Sequence, residues 1–255
     1  MAEAEKEQTP EVKEEKKDEE QPLIKYNYEI LPEDYTNFDL SFKLIVIGDS
    51  GVGKSSLTNN GIKKIFSESY NATVGFEFFT FNVKMNDKVV KLQIWDTCGQ
   101  ETYRSLISSF YRSSSLAILV YSIDSESSFN NLEMWLNEIK TKGNPDVNII
   151  LIGNKADLED KRVVTKEMAN EWCENNGVKT FMETSAKNGN NVKDLFLEAA
   201  KILLEQHKRQ KNRLHITSSM KNVLDEAEIY DKNTSKEINI NDGENSVERR
   251  KKGCC

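Results

Sequence analysis

The feature that most constrains the fold of this chain is a glycine-rich loop between an apolar run and a helical stretch. It reads Gly48-Asp49-Ser50-Gly51-Val52-Gly53-Lys54-Ser55. A Gly, four residues, a second Gly, then Lys and Ser is the spacing of a phosphate-binding loop that joins a strand to a helix. Glycine permits backbone conformations in which several N–H groups converge on phosphate oxygens, and the helix N-terminus adds a partial positive charge. The sequence therefore predicts a nucleotide-binding protein.

Two side chains at the end of this loop predict how the nucleotide is held. Lys54 would reach the β- and γ-phosphates, and the Ser55 hydroxyl would coordinate Mg²⁺. The apolar, β-branched run at residues 42–47 predicts the preceding strand, and residues 55–64 predict the following helix. Gly61 costs this helix about 1 kcal/mol relative to Ala, and nothing in the sequence explains its presence.

Strands and helices alternate along the rest of the central region. Apolar runs predict further strands at residues 76–84, 89–95, 116–121, 148–152 and 180–182. Apolar stripes and a Gly stop signal predict helices on Phe129, Leu132, Trp135, Leu136 and Ile139, over residues 165–176, and on Val192, Leu195, Phe196, Ala199 and Leu203. This order predicts an α/β fold with a six-stranded, mostly parallel sheet, one antiparallel edge strand, and helices on both faces.

The two ends of the chain differ in composition from this central region. Residues 1 to 20 carry nine acidic and four basic side chains and almost no apolar ones, which predicts disorder. We expect a disordered acidic extension over residues 1–40, one domain over 41–207 and a flexible tail over 208–255. Residues 21–40 would be either a tether against the domain or a passive linker.

Net charge and hydropathy exclude several classes of function. The net charge of −7 gives no reason to expect nucleic acid as a partner. The N-terminus lacks the apolar core of a signal peptide, and no apolar run approaches the roughly 18 residues needed to span a bilayer. The four cysteines show neither metal-ligand spacing nor a disulfide framework. We therefore expect a protein of the cytosol.

Polar motifs follow the predicted strands at the edge of the sheet where ligands bind in parallel α/β folds. Asp96 ends a strand and is placed to hold Mg²⁺, while Gly99 can donate its N–H to a γ-phosphate and Gln100 can orient an attacking water. The run Asn154-Lys155-Ala156-Asp157 offers a carboxylate to the N1–H and 2-amino group of guanine, a pair that adenine lacks. Ser185-Ala186-Lys187 would close over the base. These motifs in this order predict a guanine nucleotide.

These segments resemble the small GTPases of the Ras superfamily over about residues 40 to 207. The chain is most similar to the Rab branch, on residues 73–78, 91–95, 100–105 and 110–112 and on the terminal Lys251-Lys252-Gly253-Cys254-Cys255. The resemblance implies a P-loop small G domain that hydrolyses GTP to GDP slowly and needs a GTPase-activating protein. It also implies a switch in vesicle trafficking that recruits effectors in its GTP form, on the cytoplasmic face of intracellular membranes with a cytosolic pool.

The resemblance assigns roles to individual residues. Catalysis would rest on Gln100, Lys54 and Gly99, and Mg²⁺ would be held by Ser55, Thr73 and, through a water, Asp96. The nucleotide would be bound by Gly48, Asp49, Ser50, Gly51, Val52, Gly53, Lys54, Ser55, Ser56, Phe66, Thr73, Gly99, Asn154, Lys155, Asp157, Ser185, Ala186 and Lys187. The switches would be residues 66–78 and about 96–111. Effectors would bind Phe78, Trp95 and Phe110, although such aromatics also pack in cores.

The resemblance further implies regulators and an anchor. The partners would be a guanine-nucleotide exchange factor, a GTPase-activating protein, a GDP-dissociation inhibitor, an escort protein and effectors, with the protein itself a monomer. Cys254 and Cys255 would carry geranylgeranyl groups beside the basic cluster at residues 249–252. A weakly amphipathic stretch around residues 220–230 would be solvated tail or a partner helix.

Two positions depart from the family pattern. Cys98 stands where the family nearly always has Ala, and its larger side chain could slow hydrolysis or simply pack inertly. Ser50 stands where Ras proteins need Gly for fast hydrolysis, although Rab proteins commonly carry Ser there. Because no Arg is evident in the loop, a stabilising Arg would have to come from a partner in trans. Three alternative functions stay open at this point: a GTP-locked effector scaffold disabled by Cys98, a phosphoryl-transfer kinase, and a Ras-type signalling protein.

Overall fold

The computed structural model describes residues 27–67, 73, 75–98 and 110–213. Its strands are β1 (Tyr28–Leu31), β2 (Leu40–Ile47), β3 (Phe76–Met85), β4 (Lys88–Thr97), β5 (Leu116–Ser122), β6 (Asn148–Asn154) and β7 (Thr180–Glu183). Its helices are α1 (Lys54–Lys63), α2 (Glu126–Asn130), α3 (Leu132–Lys142), α4 (Lys166–Asn176) and α5 (residues 192–213), with a 3₁₀ turn at Glu159–Lys161. Each strand predicted within residues 42–182 is present, with ends that move by one or two residues.

The strands form one sheet whose order explains where a ligand site can lie. Among the described residues it has seven strands in the order β1-β3-β4-β2-β5-β6-β7. Strand β2 runs parallel to β4 and β5, and β6 runs parallel to β5 and β7. The strands up to β4 therefore lie on one side of β2, and the strands from β5 onward lie on its other side. The loop after β2 lies at the carboxyl edge of this switch point. The predicted α/β fold with a mostly parallel sheet is confirmed.

The sheet has one strand more than the six expected, and this strand lies within residues 1–40, the range expected to be a disordered extension. Strand β1 pairs antiparallel with β3, with Tyr28 opposite Met85 and Leu31 opposite Asn82, and it forms the edge of the sheet in place of β3. The buried Asn82 side chain donates to the carbonyls of Pro32 at 2.7 Å and Glu33 at 3.1 Å. Residues 27–40 thus belong to the folded domain, while residues 1–26 lie outside the described residues. A four-residue strand carries too little alternation to be recognised before its partner is known.

Two apolar clusters cover the two faces of the sheet. Alternate residues of β2 enter different clusters, because successive side chains of a strand point to opposite faces. Leu44 and Val46 pack with α1 and α5, whereas Ile45 and Ile47 pack with α3 and α4. The predicted stripe on α5, from Val192 to Leu203, is fully buried.

Local signals set the ends of several helices. The Thr165 hydroxyl accepts a hydrogen bond from Met168 N–H at the start of α4, and Gly177 ends that helix with a positive φ of 69°. The apolar stripe of residues 129–139 forms two helices rather than one. They are separated at Asn131, which is the C-cap of α2 and the N-cap of α3, and α2 begins where the Ser125 hydroxyl accepts from Ser128 N–H.

Packing supplies the reason for Gly61 that the sequence lacks. A Cβ at Gly61 in α1 would lie 2.2 Å from Cε2 of Phe196, a fully buried ring on α5. Real Cβ contacts do not come this close, so only glycine lets α1 and α5 approach each other at this point. The cost in helix propensity is accepted for close helix packing.

Candidate functional site

The loop between β2 and α1 is held by its own lysine. Lys54 is buried, and its ammonium donates to the carbonyls of Gly48 at 2.9 Å and Asp49 at 2.7 Å. These two bonds wrap the loop around one positive charge. A loop so wrapped can present N–H groups and the ammonium to the same phosphate oxygens.

Gly53 joins this loop to the next part of the site. It has a positive φ of 95° and precedes the first residue of α1. A Cβ there would lie 2.4 Å from Nδ2 of Asn154, which donates to the carbonyl of Val52 at 2.8 Å. Both its backbone conformation and the closeness of Asn154 exclude a larger residue at this position.

Three predicted metal ligands meet beside Lys54. The hydroxyls of Ser55 and Thr73 lie 2.6 Å apart, although the two residues come from α1 and from the segment before β3. Asp96 has no exposed surface, and neither of its carboxylate oxygens accepts a hydrogen bond of normal geometry from a described residue. A buried carboxylate without donors needs a cation, and two hydroxyls with one carboxylate are oxygen ligands of the kind Mg²⁺ prefers. The residues present therefore fit a magnesium ion.

Burial shifts the pKa of both charged groups toward neutrality. It raises the pKa of Asp96 to about 6, although the neighbouring Ser55 hydroxyl and the Lys54 ammonium act in the opposite direction. It lowers the pKa of Lys54 to about 8, with the charges of Asp96 and Asp49 opposing that shift. Burial makes the charged form of each group less favourable, and a bound phosphate and cation would offset this desolvation cost.

The base-binding motifs form a network of hydrogen bonds around Asn154. Its Oδ1 accepts from the Thr184 hydroxyl at 3.1 Å and from the backbone N–H of Ala186 at 3.3 Å. Its Nδ2 donates to Val52, as described above, so one amide ties the loop after β2 to the loops after β6 and β7. Both loops sit at the carboxyl edge of the sheet, next to the phosphate-binding loop.

Asp157, the predicted guanine-recognition residue, is exposed and oriented by a neighbour. The Ser185 hydroxyl donates to Asp157 Oδ1 at 2.5 Å. Lys155 has a positive φ of 63°, and its ammonium lies 3.8 Å from Asp124. Asn60 on α1 donates to the Ala186 carbonyl at 3.0 Å, which links the helix after the phosphate-binding loop to the base loop.

The remaining predicted nucleotide contacts lie around the same edge or outside the described residues. Ser50 and Gly51 are exposed at the tip of the loop, Ser56 is half-buried on α1, Lys187 is exposed beyond Ala186, and Phe66 packs partly buried against the α1/α5 side of the sheet. Gly99, Gln100, Cys254 and Cys255 lie outside the described residues. The structure thus brings together the phosphate, metal and base residues that it describes.

An aromatic cluster lies at the phosphate end of β3 and β4, and it contains all three predicted effector residues. The centroid of Trp95 lies 5.2 Å from that of Phe78 and 4.9 Å from that of Phe110. Phe76, which was placed in the first switch but not among the effector residues, lies 4.8 Å from Phe110, and Phe76 and Phe78 are 43% and 49% exposed. Lys43 places its ammonium 5.1 Å from the Trp95 ring.

Cys98 is buried among the apolar residues on the α3 side of the sheet. Its side chain is only 2% exposed, and its N–H donates to the Gly75 carbonyl at 3.1 Å. The thiol therefore packs as a small apolar group, and the backbone bond joins the start of the second predicted switch to the end of the first.

Three contributors to the site were not identified from the sequence. Thr184 orients Asn154, while Trp135 and Asn131 on the α3 side both donate to the Asp49 side chain. Thr184 directly precedes Ser185 at a predicted strand end, which is a usable signal. Trp135 was assigned to the core by its helical spacing, and nothing in that spacing indicates that its indole N–H donates to Asp49.

Neither a membrane-spanning helix nor a cluster of His, Cys, Asp and Glu side chains suited to a metal occurs among the described residues. No helix there combines the length and apolar character needed to cross a bilayer. No group of three or more His, Cys, Asp and Glu side chains is arranged there to hold a metal. The magnesium donors described above are mainly hydroxyls, so they are not such a group.

Comparisons with known proteins agree with this geometry. A model of the Ras family matches residues 43–205. The chain is 48% identical to Ras-related protein Rab5 of Nicotiana tabacum over 165 residues, which cover 65% of this chain and 82% of that protein. It is 44% identical to Ras-related protein RABF2a of Arabidopsis thaliana over 167 residues (66% and 83%). It is 45% identical to GTP-binding protein YPTM2 of Zea mays over 163 residues (64% and 80%).

Proposed function

The chain belongs to the Ras family as a Rab-type small GTPase, an enzyme that hydrolyses GTP to GDP, and from that premise we propose that it is a membrane-anchored switch in vesicle trafficking. The observation that carries the proposal is the buried Asp96 carboxylate, which accepts no hydrogen bond of normal geometry from a described residue and lies beside Lys54 and the paired Ser55 and Thr73 hydroxyls. Family membership sets aside the kinase alternative, and the Rab names of two of these relatives favour a Rab protein over a Ras-type signalling protein.

The chemistry would be divided among the described residues as follows. Ser55, Thr73 and Asp96 would hold Mg²⁺, which when bound neutralises phosphate charge and orients the γ-phosphate. Lys54 would stabilise the charge that develops on the β–γ bridging oxygen. Gln100 would orient the attacking water and Gly99 would donate its N–H to the γ-phosphate, while Asp157 would select guanine.

The switch would work through Thr73 and the strand that follows it. Thr73 would be held by Mg²⁺ and the γ-phosphate only in the GTP form, and β3 begins three residues later at Phe76. Phe76 and Phe78 are half-exposed and contact Trp95, so release of Thr73 would rearrange this cluster. Effectors would bind Phe78, Trp95 and Phe110 in the GTP form and leave after hydrolysis.

The anchor and the regulators complete the proposal. Geranylgeranyl groups on Cys254 and Cys255 would hold the chain on the cytoplasmic face of an intracellular membrane, because two lipid chains anchor stably where one does not. An exchange factor would load GTP, and a GTPase-activating protein would supply the stabilising Arg. An escort protein would present the chain for prenylation, and a dissociation inhibitor would shield the lipids in the cytosolic pool.

Single-turnover hydrolysis of GTP-loaded protein tests the catalytic part. The parent should convert bound GTP to GDP slowly in the presence of Mg²⁺, and Gln100→Leu should abolish conversion. Cys98→Ala should change the rate by less than about threefold, because the thiol is buried in the core. A parent that converts nothing until Cys98 is replaced would support the alternative function, an effector-binding scaffold held in its GTP form.

Membrane partitioning tests the anchor. Protein expressed in a prenylating host should sediment with vesicles, the double variant Cys254→Ser/Cys255→Ser should remain in the supernatant, and each single variant should bind more weakly than the parent. Equal sedimentation of parent and double variant would contradict lipid anchoring without affecting the GTPase activity.

A further inference from the structure

The phosphate-binding loop carries an acidic side chain, Asp49, which is held from a distant helix. Asp49 Oδ1 accepts a hydrogen bond from Trp135 Nε1 at 2.7 Å, and Oδ2 accepts one from Asn131 Nδ2 at 2.7 Å. We propose that Trp135 and Asn131 are positioning residues that hold Asp49, and with it the loop, so that the bound nucleotide is retained. The inference rests on the proposed binding of phosphates by this loop.

A carboxylate inside an anion-binding loop needs such control. The negative charge of Asp49 repels phosphate and competes with it for the Lys54 ammonium. The charge of Asp49 already acts on Lys54, because it raises the pKa of that group against the larger effect of burial. Two donors, one on each oxygen, disperse this charge and keep the side chain turned toward α3. The loop can then offer its N–H groups and Lys54 to the ligand without an internal competitor.

The surroundings of Trp135 and Asn131 orient both side chains toward Asp49. Trp135 is 2% exposed and packs within the α3-side core, so the direction of its N–H is set by the packing of its ring. Asn131 occupies the N-cap position of α3, where such a side chain normally accepts a hydrogen bond from the first turn. It makes no such bond to α3 and donates to Asp49 instead.

The contact fixes one side of the loop while Asn154 fixes the other. The Asp49 carbonyl accepts from Lys54 at 2.7 Å, so this residue is tied through both its side chain and its main chain. Three residues later the Val52 carbonyl accepts from Asn154 at 2.8 Å. Loss of the Trp135 donor would therefore loosen the phosphate-binding loop at Asp49, while the hydrogen bond from Asn154 would still hold the loop at Val52.

Release of labelled GDP from the full-length protein, followed by filter retention with Mg²⁺ present, tests the inference. Trp135→Phe keeps most of the ring packing and removes the donor, and it should accelerate release about tenfold, the loss of one charge-assisted hydrogen bond. Asn131→Ala, at an exposed position, should accelerate it about threefold. The matched control is Trp172→Phe, a partly buried tryptophan on the same core that is not bonded to Asp49, and it should leave the rate unchanged.

A double-mutant cycle separates positioning from general destabilisation. If Trp135 acts through Asp49, Trp135→Phe should have no further effect once Asp49→Ala is present. The same tenfold acceleration in both backgrounds would overturn the inference, and so would unchanged release in both Trp135→Phe and Asn131→Ala. These outcomes would leave the nucleotide site intact, whereas a parent that fails to retain GDP would contradict the proposed function and this inference with it.

Discussion

In the phosphate half of the site the Asp96 carboxylate is buried and accepts no hydrogen bond of normal geometry from the described residues, and the Lys54 ammonium donates to the backbone carbonyls of Gly48 and Asp49. In the base half the protein satisfies its own polar groups. Asn154 uses both ends of its amide, and Asp157 accepts from Ser185. Both halves lie at the same edge of the same sheet, and they meet at Asn154 and Val52.

The difference follows from what each half would recognise under the proposed function. Phosphates and Mg²⁺ carry charges that can offset the desolvation of Asp96 and Lys54, so this half can hold polar groups at a cost to stability. A neutral base offers a few directional hydrogen bonds, so its recognition requires groups that are already oriented. We therefore expect substitutions in the base half to alter specificity and those in the phosphate half to change stability and nucleotide retention in opposite directions.

The largest effect is expected at Asp157. Asp157→Asn replaces an acceptor oxygen by an amino group facing the donors of guanine, and GDP affinity should fall about 1,000-fold, roughly 4 kcal/mol. Xanthosine diphosphate, which has an oxygen in place of the 2-amino group, should bind the variant better than GDP does. Calorimetric titration of both nucleotides measures this, with Asp160→Asn on the exposed 3₁₀ turn as the matched control. An equal loss for both nucleotides would mean that Asp157 acts on folding rather than on specificity.

The pH dependence of stability should expose the cost of the phosphate half. Burial raises the pKa of Asp96 from 3.8 to about 6, so between these values the folded protein retains a proton that the unfolded chain releases. The contribution of Asp96 to the free energy of unfolding therefore falls as pH rises through this window, by at most roughly 3 kcal/mol. Urea unfolding of the nucleotide-free protein should show Asp96→Asn gaining stability over the parent from pH 4 to pH 6.

Lys54 should give the opposite slope at alkaline pH. Burial lowers its pKa from 10.5 to about 8, so the unfolded chain binds more protons between these values. Its destabilising contribution is fully present below pH 8 and is relieved as pH rises toward 10.5.

Stability curves of the parent and Asp96→Asn that run parallel from pH 4 to pH 6 would contradict the assignment of the acidic slope to Asp96.

Asp96→Asn should also weaken the hold of Mg²⁺ on the nucleotide. In the parent, removal of Mg²⁺ with a chelator should accelerate GDP release by about 100-fold, and the variant should show little of this dependence. Filter retention of labelled GDP with and without the chelator measures it. Glu77→Gln is the matched control, because Glu77 lies opposite Asp96 on β3 and is exposed. A full magnesium effect in Asp96→Asn would remove Asp96 from the metal site.

The smallest effect is expected at Ser185. Ser185→Ala removes the hydroxyl that donates to Asp157 and accepts from Asn188 N–H, but the carboxylate itself remains. GDP affinity should fall about three- to tenfold, with the preference for GDP over xanthosine diphosphate unchanged. A reversal of that preference would show that Ser185, and not Asp157 alone, determines the base.

Most of the fold, and the position of the described phosphate and base motifs at one edge of the sheet, were predictable because their signals are local. The phosphate-binding loop depends on eight consecutive residues, and the strands and helices depend on spacings of two, three and four. The motifs beginning at Asp96, Asn154 and Ser185 each follow a predicted strand, so a parallel sheet was sufficient to place them at one edge. The short strand β1 had no such period, and it was identified only through its pairing with β3.

The amino-acid sequence by itself determined that this chain has a phosphate-binding loop in an α/β sheet and which polar residues follow its strands. The tertiary structure alone decided why residue 61 is glycine, that residues 28–31 join the sheet, and that Trp135 holds Asp49 from 86 positions away. The physical reason is that spacing encodes the periodicity of one element, whereas a close approach or a single hydrogen bond depends on how two distant elements pack.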